Sequence, residues 1–432
     1  MAVLVRHCFP GFWESIGAIE DPRDGDRIVY DLKHVLGLAI LMFACRMASR
    51  RALDNNSDDT VFLRNLCQFA GVKNEAVMTS AQMVNVLGVL KHDELAAIQV
   101  EMIRQLIASK RLPDAYIQGH LVVASDGTGI FSSSKEHCDK CLTQEHKDGS
   151  VLRMHNVLEA KVLSADGMAL SLLSEPVEND ENGKYEKQDC ETKAFKRLLP
   201  RIKAAFPRQP FVHLLDSLYA NGPALKAIYQ QPCHEFICNF KRSSIPTLFD
   251  ESLELIKLHP ENVIRRKLFL PGTKKRRVRQ EIRWVNSLEY QGMTMAFVSC
   301  EETDCKTGDK KTFIWLTSFK VDRDNVREIT RGGRMRWKIE NEGFKEQKTG
   351  YGLEHHCNCK DPDVMRALYL TLQIAHTLMQ LLARSNLLEK TVETLTHLAA
   401  VLLESLRNYR PEQNASEMNL PPMQIRFARA SP

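Results

Sequence analysis

The sequence predicts an α/β protein built around a mixed β-sheet, with helical segments before and after the sheet. Hydrophobic residues recur at helical spacing near both ends of the chain, short apolar runs of strand length fill its middle, and the two patterns alternate between residues 120 and 240. At 432 residues the chain is longer than one hydrophobic core usually serves. We therefore expect several structural units.

The composition is that of an ordinary folded protein in water, with 44% hydrophobic and 26% charged residues. A formal net charge of +5 does not by itself indicate a polyanionic partner. The twelve cysteines occur without a recognisable secretory leader, so we expect free thiols in the reducing cytoplasm. The most apolar early run, 32–48, contains Lys33, His34 and Arg46 and is predicted to be a buried helix, with no membrane partner.

The first 115 residues have a helical pattern. Leu36, Ile40, Phe43 and Met47 recur at the spacing that places them on one face of a helix. Residues 1–115 are therefore predicted to form a helical N-terminal domain.

Strand-like runs replace the helical pattern from residue 120 onward. Three strands, a helix, a strand, a helix and a final strand are predicted in that order, and the later strands need crossover connections. The same order belongs to the RNase H-like fold, so residues 116–241 are predicted to form the first part of an RNase H-like core. The predicted elements are 121–124, 151–163, 168–173, 191–206, 211–215, 224–229 and 235–240.

The segment 242–320 has a different character, because strand-like runs there alternate with basic turns. We predict an inserted β-strand domain. The helical pattern resumes after it, so residues 321–410 are expected to complete the core with C-terminal helices, followed by a tail at 411–432. The strand-like runs of the insertion are 263–270, 280–285, 293–300 and 312–318.

Two aspartates follow apolar strands of the predicted core. Asp126 comes after the run at 121–124, and Asp216 directly follows the run at 211–215. An aspartate in such a place is often only a turn residue. If the order of elements is right, however, both acids lie on neighbouring central strands, where their oxygens can bind divalent cations.

A third acid is expected from a helix late in the chain. Helical spacing places Arg336, Glu340 and Phe344 on one stripe, so that Arg336 can neutralise charge near Glu340 while Phe344 anchors the helix in the core. The competing interpretation is an exposed salt bridge between Arg336 and Glu340, which is common at this spacing.

These segments together resemble the insertion-sequence DDE transposases, specifically the group with a β-strand domain inserted between the second and third catalytic acids. In that group the third acid lies in a helix with a Tyr, Arg, Glu and Lys signature, and the run RWKIENEGF at 336–344 looks like its centre. The resemblance covers roughly residues 20–385.

The resemblance implies a DNA transposase that cleaves transposon ends and transfers the strands into target DNA. It implies Asp126, Asp216 and Glu340 as the catalytic residues, which would hold two Mg²⁺ or Mn²⁺ ions. Double-stranded DNA is the implied partner. Pairing of two ends further implies a homodimer in the DNA complex, associated with the nucleoid when bound.

Two positions of the signature differ in this chain. The expected tyrosine is Gly333, and the expected lysine is Gln347, with Lys348 next to it. Glu342 therefore remains an alternative to Glu340 as the third acid.

Basic side chains are the candidate DNA contacts. Residues 241–290 hold twelve Lys or Arg against six Asp or Glu. A basic hairpin fits contact with the phosphate backbone, whereas a solvated edge strand protected by charge is the alternative. The candidates from the late helix and the hairpin are Arg336, Lys345, Lys348, Lys274, Lys275, Arg276, Arg277 and Arg279.

The N-terminal domain is the candidate reader of transposon ends. One of its helices could enter the major groove, with Arg46, Arg50, Arg51 and Arg64 as possible contacts. A helix bundle that only packs against the core is the alternative.

Cysteine and histidine spacing suggests a second metal. Cys138 and Cys141 form a Cys-x-x-Cys pair and His146 follows closely, which are the ligand types of a structural zinc site. Unpaired reduced cysteines explain the cluster equally well, so both interpretations stay open.

Two other functions are consistent with the sequence. An RNase H-like nuclease that cuts DNA without joining strands would use the same acids. A decayed relative that only binds DNA would explain the irregular signature. Strand-joining products distinguish the first alternative, and titration with Mn²⁺ distinguishes the second.

Overall fold

The computed structural model describes residues 1–135, 138–179, 187–269, 277–356, 361–388, 394–410 and 425–427. Most of the predicted tail at 411–432 therefore lies outside the described residues. The molecule is a mixed α/β structure with a large mixed sheet, as the sequence predicted.

Seven helices precede the sheet, in agreement with the helical pattern of the first 115 residues. Several begin at polar caps, for example at Asp31 and Asp59, whose carboxylates accept hydrogen bonds from free backbone N–H groups. The helices are α1 (Ala2–Cys8), α2 (Phe12–Gly17), α3 (Leu32–Ala44), α4 (Arg50–Ser57), α5 (Thr60–Ala70), α6 (Ser80–Leu87) and α7 (His92–Ala108).

The first part of the sheet contains the predicted strands and helices in the predicted order, together with two short strands, β1 and β3, that the sequence analysis did not predict. Two antiparallel connections come first, and two helices then provide the crossovers that parallel strands require. The elements are β1 (Tyr116–Ile117), β2 (His120–Ser133), β3 (Leu142–Glu145), β4 (Val151–Leu163), β5 (Ala169–Val177), α8 (Glu191–Ala205), β6 (Phe211–Leu215), α9 (Gly222–Tyr229) and β7 (His234–Asn239).

The strands lie side by side in the order β5, β4, β2, β6, β7. Strand β4 is antiparallel to both β5 and β2, whereas β2, β6 and β7 run parallel to one another. Each residue of β6 is buried, which fits a central parallel strand covered on both faces. The carboxyl ends of β2 and β6 therefore point to the same edge of the sheet.

The segment 242–320 continues this sheet. It contains α10 (Pro246–Leu258), β8 (Val263–Phe269), β9 (Arg277–Tyr290), β10 (Met293–Asp304) and β11 (Lys310–Thr317). The four strands are antiparallel neighbours, and β11 also pairs with β7. The sequence predicted an inserted β-strand domain here, and in the structure its strands are hydrogen-bonded to the core sheet through the pairing of β11 with β7. The helix α10 was not predicted.

Helices resume after β11. They are α11 (Val326–Met335), a π-helical segment (Ile339–Lys345), α12 (Glu346–Gly350), α13 (Leu353–His356), α14 (Pro362–Arg384) and α15 (Leu395–Asn408). Helix α14 is almost wholly buried, because it packs on β5 and also contacts α3 and α7. None of the described helices combines the length and apolar character needed to span a membrane.

Candidate active site

Asp126 and Asp216 lie on neighbouring strands at matching positions. Ala124 of β2 pairs with Leu214 of β6 in parallel register, and each aspartate follows two residues later in its own strand direction. Neighbouring strands are about 4.8 Å apart, so this register brings the two acids together at one edge of the sheet. Asp216 also raises the pKa of Asp126 by its charge.

The chain does not turn at Asp126, which the sequence had placed at the end of a strand. Strand β2 continues to Ser133 and stays paired with β4, so only the parallel pairing with β6 ends before the acid. Asp216 is different, because it leaves the sheet and caps a short 3₁₀ helix by accepting a hydrogen bond of 2.8 Å from the Leu218 N–H.

A third carboxylate, Glu191, joins the two aspartates, and the sequence analysis did not propose it. Glu191 is the first residue of α8, and its carboxylate passes over Gly127 of β2. A Cβ atom at Gly127 would lie only 2.1 Å from Glu191 Oε1, so the missing side chain makes room for the acid. Glycine beside Asp126, together with an acid at a helix start, was the signal available in the sequence.

The raised pKa of Glu191 reflects its burial and the nearby negative charges of the two aspartates. Burial, reinforced by the charges of Asp126 and Asp216, raises the pKa of Glu191 to about 7, while the neighbouring Tyr219 hydroxyl acts in the opposite direction. Burial likewise raises the pKa of Asp126. Each charge therefore disfavours the others, which is the condition that a bound cation relieves.

Arg336 supplies one positive charge to this cluster. Its Nη1 lies 3.2 Å from Asp126 Oδ2, and the residue is only 8% exposed. This contact places Arg336, which follows α11, beside the first acid. Arg336 Nε is buried and, within the described residues, has no hydrogen-bond partner. The guanidinium can therefore offer a further N–H donor to an anion at the site.

Two glycines bring the helix that carries Arg336 close to the sheet. A Cβ at Gly332 would lie 2.5 Å from Ile117 Cδ1, and one at Gly333 would lie 2.3 Å from the Trp315 ring. The tyrosine expected at position 333 by resemblance cannot fit this packing. Gly333 is therefore a requirement of the fold in this chain.

Glu340 lies one turn beyond Arg336, at the start of the π-helical segment. Arg336 and Lys338 keep right-handed helical dihedral angles, so the helix runs on through the change of winding. Such π segments are rare and are frequently found at functional sites. Glu340 is exposed, and no described hydrogen bond or ion pair joins it to Asp126 or Asp216. The structure thus brings together the two aspartates and Arg336, with Glu340 on the adjacent turn.

The alternative third acid and the candidate lysines follow along the same helix. Glu342 is half-buried and lies 3.6 Å from Lys338 Nζ. Lys345 is exposed, whereas Lys348 forms an ion pair of 2.8 Å with Glu354. Of the two lysines proposed for DNA contact, Lys345 is the one whose ammonium is not engaged in a described ion pair.

The donor set of the cluster suits hard divalent cations. Asp126, Glu191 and Asp216 present carboxylate oxygens, which are the ligands that Mg²⁺ and Mn²⁺ prefer. The repulsion among the three acids is offset within the described residues mainly by Arg336. The kinds of ligand therefore suit a cation site, and the oxygens of the three acids are spread more widely than 4.8 Å.

The basic hairpin is described only in part. Lys274, Lys275 and Arg276 lie outside the described residues, whereas Arg277 and Arg279 are exposed at the start of β9. Elsewhere on this hairpin acids neutralise some of the positive charge. Arg265 and Arg283 both contact Glu281, each at 2.7 Å.

Arg46, one of the candidate readers of transposon ends, is used inside the molecule. It lies 3.1 Å from Glu346 Oε1, donates a hydrogen bond of 2.7 Å to the Thr396 hydroxyl, and stacks over the Tyr351 ring. These contacts tie α3 to the C-terminal helices, which is the role of a residue at a packing interface.

The Cys-x-x-Cys pair forms a cluster with a different histidine from the one proposed. Cys138 and Cys141 meet His155 of β4, and their three donor atoms all lie within 4.8 Å of one another, which no other group of three or more His, Cys, Asp and Glu among the described residues does. His146 is exposed in the turn between β3 and β4. The expectation for His146 was wrong because closeness in sequence was taken for closeness in space.

No protein-family model matches the sequence, and no curated protein matches it. Among solved structures, the chain is similar to a piggyBac transposase, in a cryo-EM structure of its synaptic complex with hairpin DNA. The identity is 10%, the TM-score is 0.39, and the alignment covers 98% of this chain and 82% of that chain. A TM-score this low does not establish a shared fold, so the likeness carries no argument about this chain.

Proposed function

We propose that the protein is a DDE-type DNA transposase with an RNase H-like core, which cleaves DNA at element ends and joins the strands to a target. One observation carries the proposal: Asp126, Asp216 and Glu191, widely separated in sequence, gather at the sheet edge where the parallel pairing of β2 and β6 ends.

The sheet order supports the RNase H-like part of the proposal. Three strands in antiparallel succession are followed by two parallel strands after helical crossovers, giving the spatial order β5, β4, β2, β6, β7. Strand β2 is thus central in this order, and its Asp126 lies beside Asp216, which follows β6. Open α/β sheets commonly bind ligands at such carboxyl edges.

Asp126 and Asp216 would hold two Mg²⁺ or Mn²⁺ ions between them, with Glu191 and Glu340 completing the oxygen ligands. When bound, the ions activate the attacking oxygen and stabilise the leaving oxygen of an in-line displacement. Arg336, buried beside Asp126, would bind a non-bridging oxygen of the scissile phosphate through its unpaired Nε–H.

DNA contact outside the site would come from exposed cations. Lys345 follows the π-helical turn of Glu340, and Arg277 and Arg279 extend along β9. These side chains supply affinity for the phosphate backbone but no base reading. Two copies of the chain would pair two element ends.

The test is a cleavage assay on supercoiled DNA that carries the segments flanking the coding region. With Mg²⁺ or Mn²⁺ we expect cuts at the element ends followed by strand-joining products. Cuts without joined products would support the nuclease alternative, and DNA binding without any metal-dependent cut would support the decayed relative.

Matched glutamine variants decide which acid completes the site. We expect Glu191→Gln and Glu340→Gln to lower metal-dependent cleavage, because each removes a ligand oxygen charge while preserving side-chain shape. Glu342→Gln is the control, since Glu342 is paired with Lys338, four residues earlier on the same helix. Full activity in Glu340→Gln together with loss in Glu342→Gln would transfer the role to Glu342.

A further inference from the structure

The cysteine and histidine cluster lies on the hairpin that borders the core sheet. After β2 the chain turns, and the Cys141 N–H donates a hydrogen bond of 3.1 Å to the Cys138 carbonyl oxygen. This turn brings the two Sγ atoms to 3.7 Å. The neighbouring pairing of Leu142 with Met154 places Cys141 opposite His155 across the β3–β4 ladder.

The three donor atoms converge on one point. His155 Nε2 lies 3.2 Å from Cys138 Sγ and 3.3 Å from Cys141 Sγ. In a tetrahedral zinc site, bonds of about 2.3 Å to sulfur and about 2.0 Å to nitrogen separate two sulfurs by about 3.8 Å and a sulfur from a nitrogen by about 3.6 Å. The two sulfurs already have this separation, and small side-chain rotations would provide the rest.

The surroundings hold this arrangement in place. Cys141 is 5% exposed and His155 is 4% exposed, so both donors are fixed by packing. The Asn179 side-chain amide donates to the Cys141 carbonyl oxygen at 2.8 Å, and the Asn179 N–H donates to the Lys140 carbonyl oxygen at 3.0 Å. The Cys138 N–H points at Cys141 Sγ at 3.4 Å, which helps to fix the position of that sulfur.

A disulfide does not explain the geometry. The Sγ–Sγ distance of 3.7 Å is far longer than a covalent S–S bond of about 2.05 Å. A disulfide would also not explain why His155 Nε2 contacts both sulfurs.

We propose that Cys138, Cys141 and His155 bind a zinc ion that fastens the β2–β3 connection to β4. Two sulfurs and one imidazole nitrogen form a soft donor set, which selects Zn²⁺ and rejects the hard cations that suit the carboxylate cluster. The inference is independent of the proposed function, because none of the three ligands belongs to that cluster.

The first test is the metal content of the full chain, purified without chelator and measured by elemental mass spectrometry. We expect about one zinc ion per chain, held by these three ligands with water in the fourth position of the tetrahedron. Cys138→Ser and His155→Ala should lose it. His146→Ala and Cys305→Ser, at exposed positions, are the matched controls and should keep it.

A second test does not depend on how the variants fold. Co²⁺ added to the chelator-treated wild-type chain should give the thiolate charge-transfer absorption and the visible bands of tetrahedral cobalt, and zinc should abolish both. A wild-type chain that contains no zinc and gives no thiolate–cobalt absorption would overturn the inference. Zinc retained by a folded His155→Ala chain would overturn the assignment of that ligand.

Discussion

Asp126 and Glu159 are paired residues in the β2–β4 ladder, yet the surroundings of their two carboxylates are opposite in kind. Glu159 is fully buried and satisfied: it accepts hydrogen bonds from the Ser171 and Tyr369 hydroxyls and lies 3.8 Å from Lys161 Nζ. Asp126 is half-buried and stands among other acids.

The difference separates an acid that has an opposite charge and two hydroxyl donors beside it from an acid that stands beside other acids. Burial raises the pKa of Glu159 and lowers that of Lys161, and the attraction between the two acts against both shifts. Around Asp126 burial raises the pKa, the charge of Arg336 lowers it, and the charge of Asp216 adds to the rise. Raised carboxyl pKa values in such a cluster are typical of functional sites.

The largest expected effect is on activity. Asp126→Asn or Asp216→Asn should lower metal-dependent DNA cleavage by about 1,000-fold or more, because cation stabilisation of the transition state is worth several kcal/mol and each 1.4 kcal/mol is tenfold. The folded state of Asp216→Asn should be as stable as the wild type or more so, because a repulsion has been removed, whereas Asp126→Asn also takes the carboxylate partner from the buried Arg336. Cleavage rates and urea unfolding midpoints measure the two effects, and normal cleavage by Asp126→Asn would refute the site.

Removal of the buried acid Glu159, by contrast, should lower the free energy of unfolding. Glu159→Ala leaves the buried Lys161 charge without its partner, so we expect a loss of about 3–5 kcal/mol in the free energy of unfolding. Urea denaturation measures it. Glu301→Ala, which removes an exposed partner of Lys310, is the control and should cost about 1 kcal/mol or less. Equal losses of unfolding free energy in Glu159→Ala and Glu301→Ala would show that the buried pair matters no more to stability than an exposed one.

The acid cluster around Asp126 should also make the stability of the metal-free chain depend on pH. The pKa of Glu191 is raised from 4.5 to about 7, so the folded state holds its proton more tightly than the unfolded state. This contribution to stability is complete below pH 4.5 and is lost as the pH rises through 7. In chelator, Glu191→Gln should reduce the fall in unfolding free energy between pH 5 and 8. An unchanged pH profile would show that Glu191 is not among charged acids.

The sequence was sufficient for elements that depend on local periodicity. The strand predicted at 211–215 is β6 (Phe211–Leu215), and the strand predicted at 151–163 is β4 (Val151–Leu163). Asp126 and Asp216 could be paired in advance because consecutive parallel strands expose their carboxyl ends at one edge.

Features that depend on long-range packing could not be predicted in this way. Gly127 and Gly129 look like a turn, yet β4 pairing keeps them in β2. Glu191 approaches Asp126 only because α8 docks over Gly127, and His155 rather than His146 meets the cysteines because of the β3–β4 register. Pairing of β11 with β7 likewise joins residues far apart in the chain.

The smallest expected effect concerns the basic edge of the sheet. Arg279 is exposed on β9 and is not engaged in a described ion pair, whereas Arg283 on the same strand is paired with Glu281. If Arg279 binds a phosphate, Arg279→Ala should weaken DNA binding at every sequence and reduce the slope of log K against log salt by about 0.9. Arg283→Ala is the matched control, because its charge is already offset. Fluorescence anisotropy over a range of salt concentrations measures both slopes. Equal slopes for Arg279→Ala and wild type would indicate that Arg279 keeps the edge strand solvated and does not bind DNA.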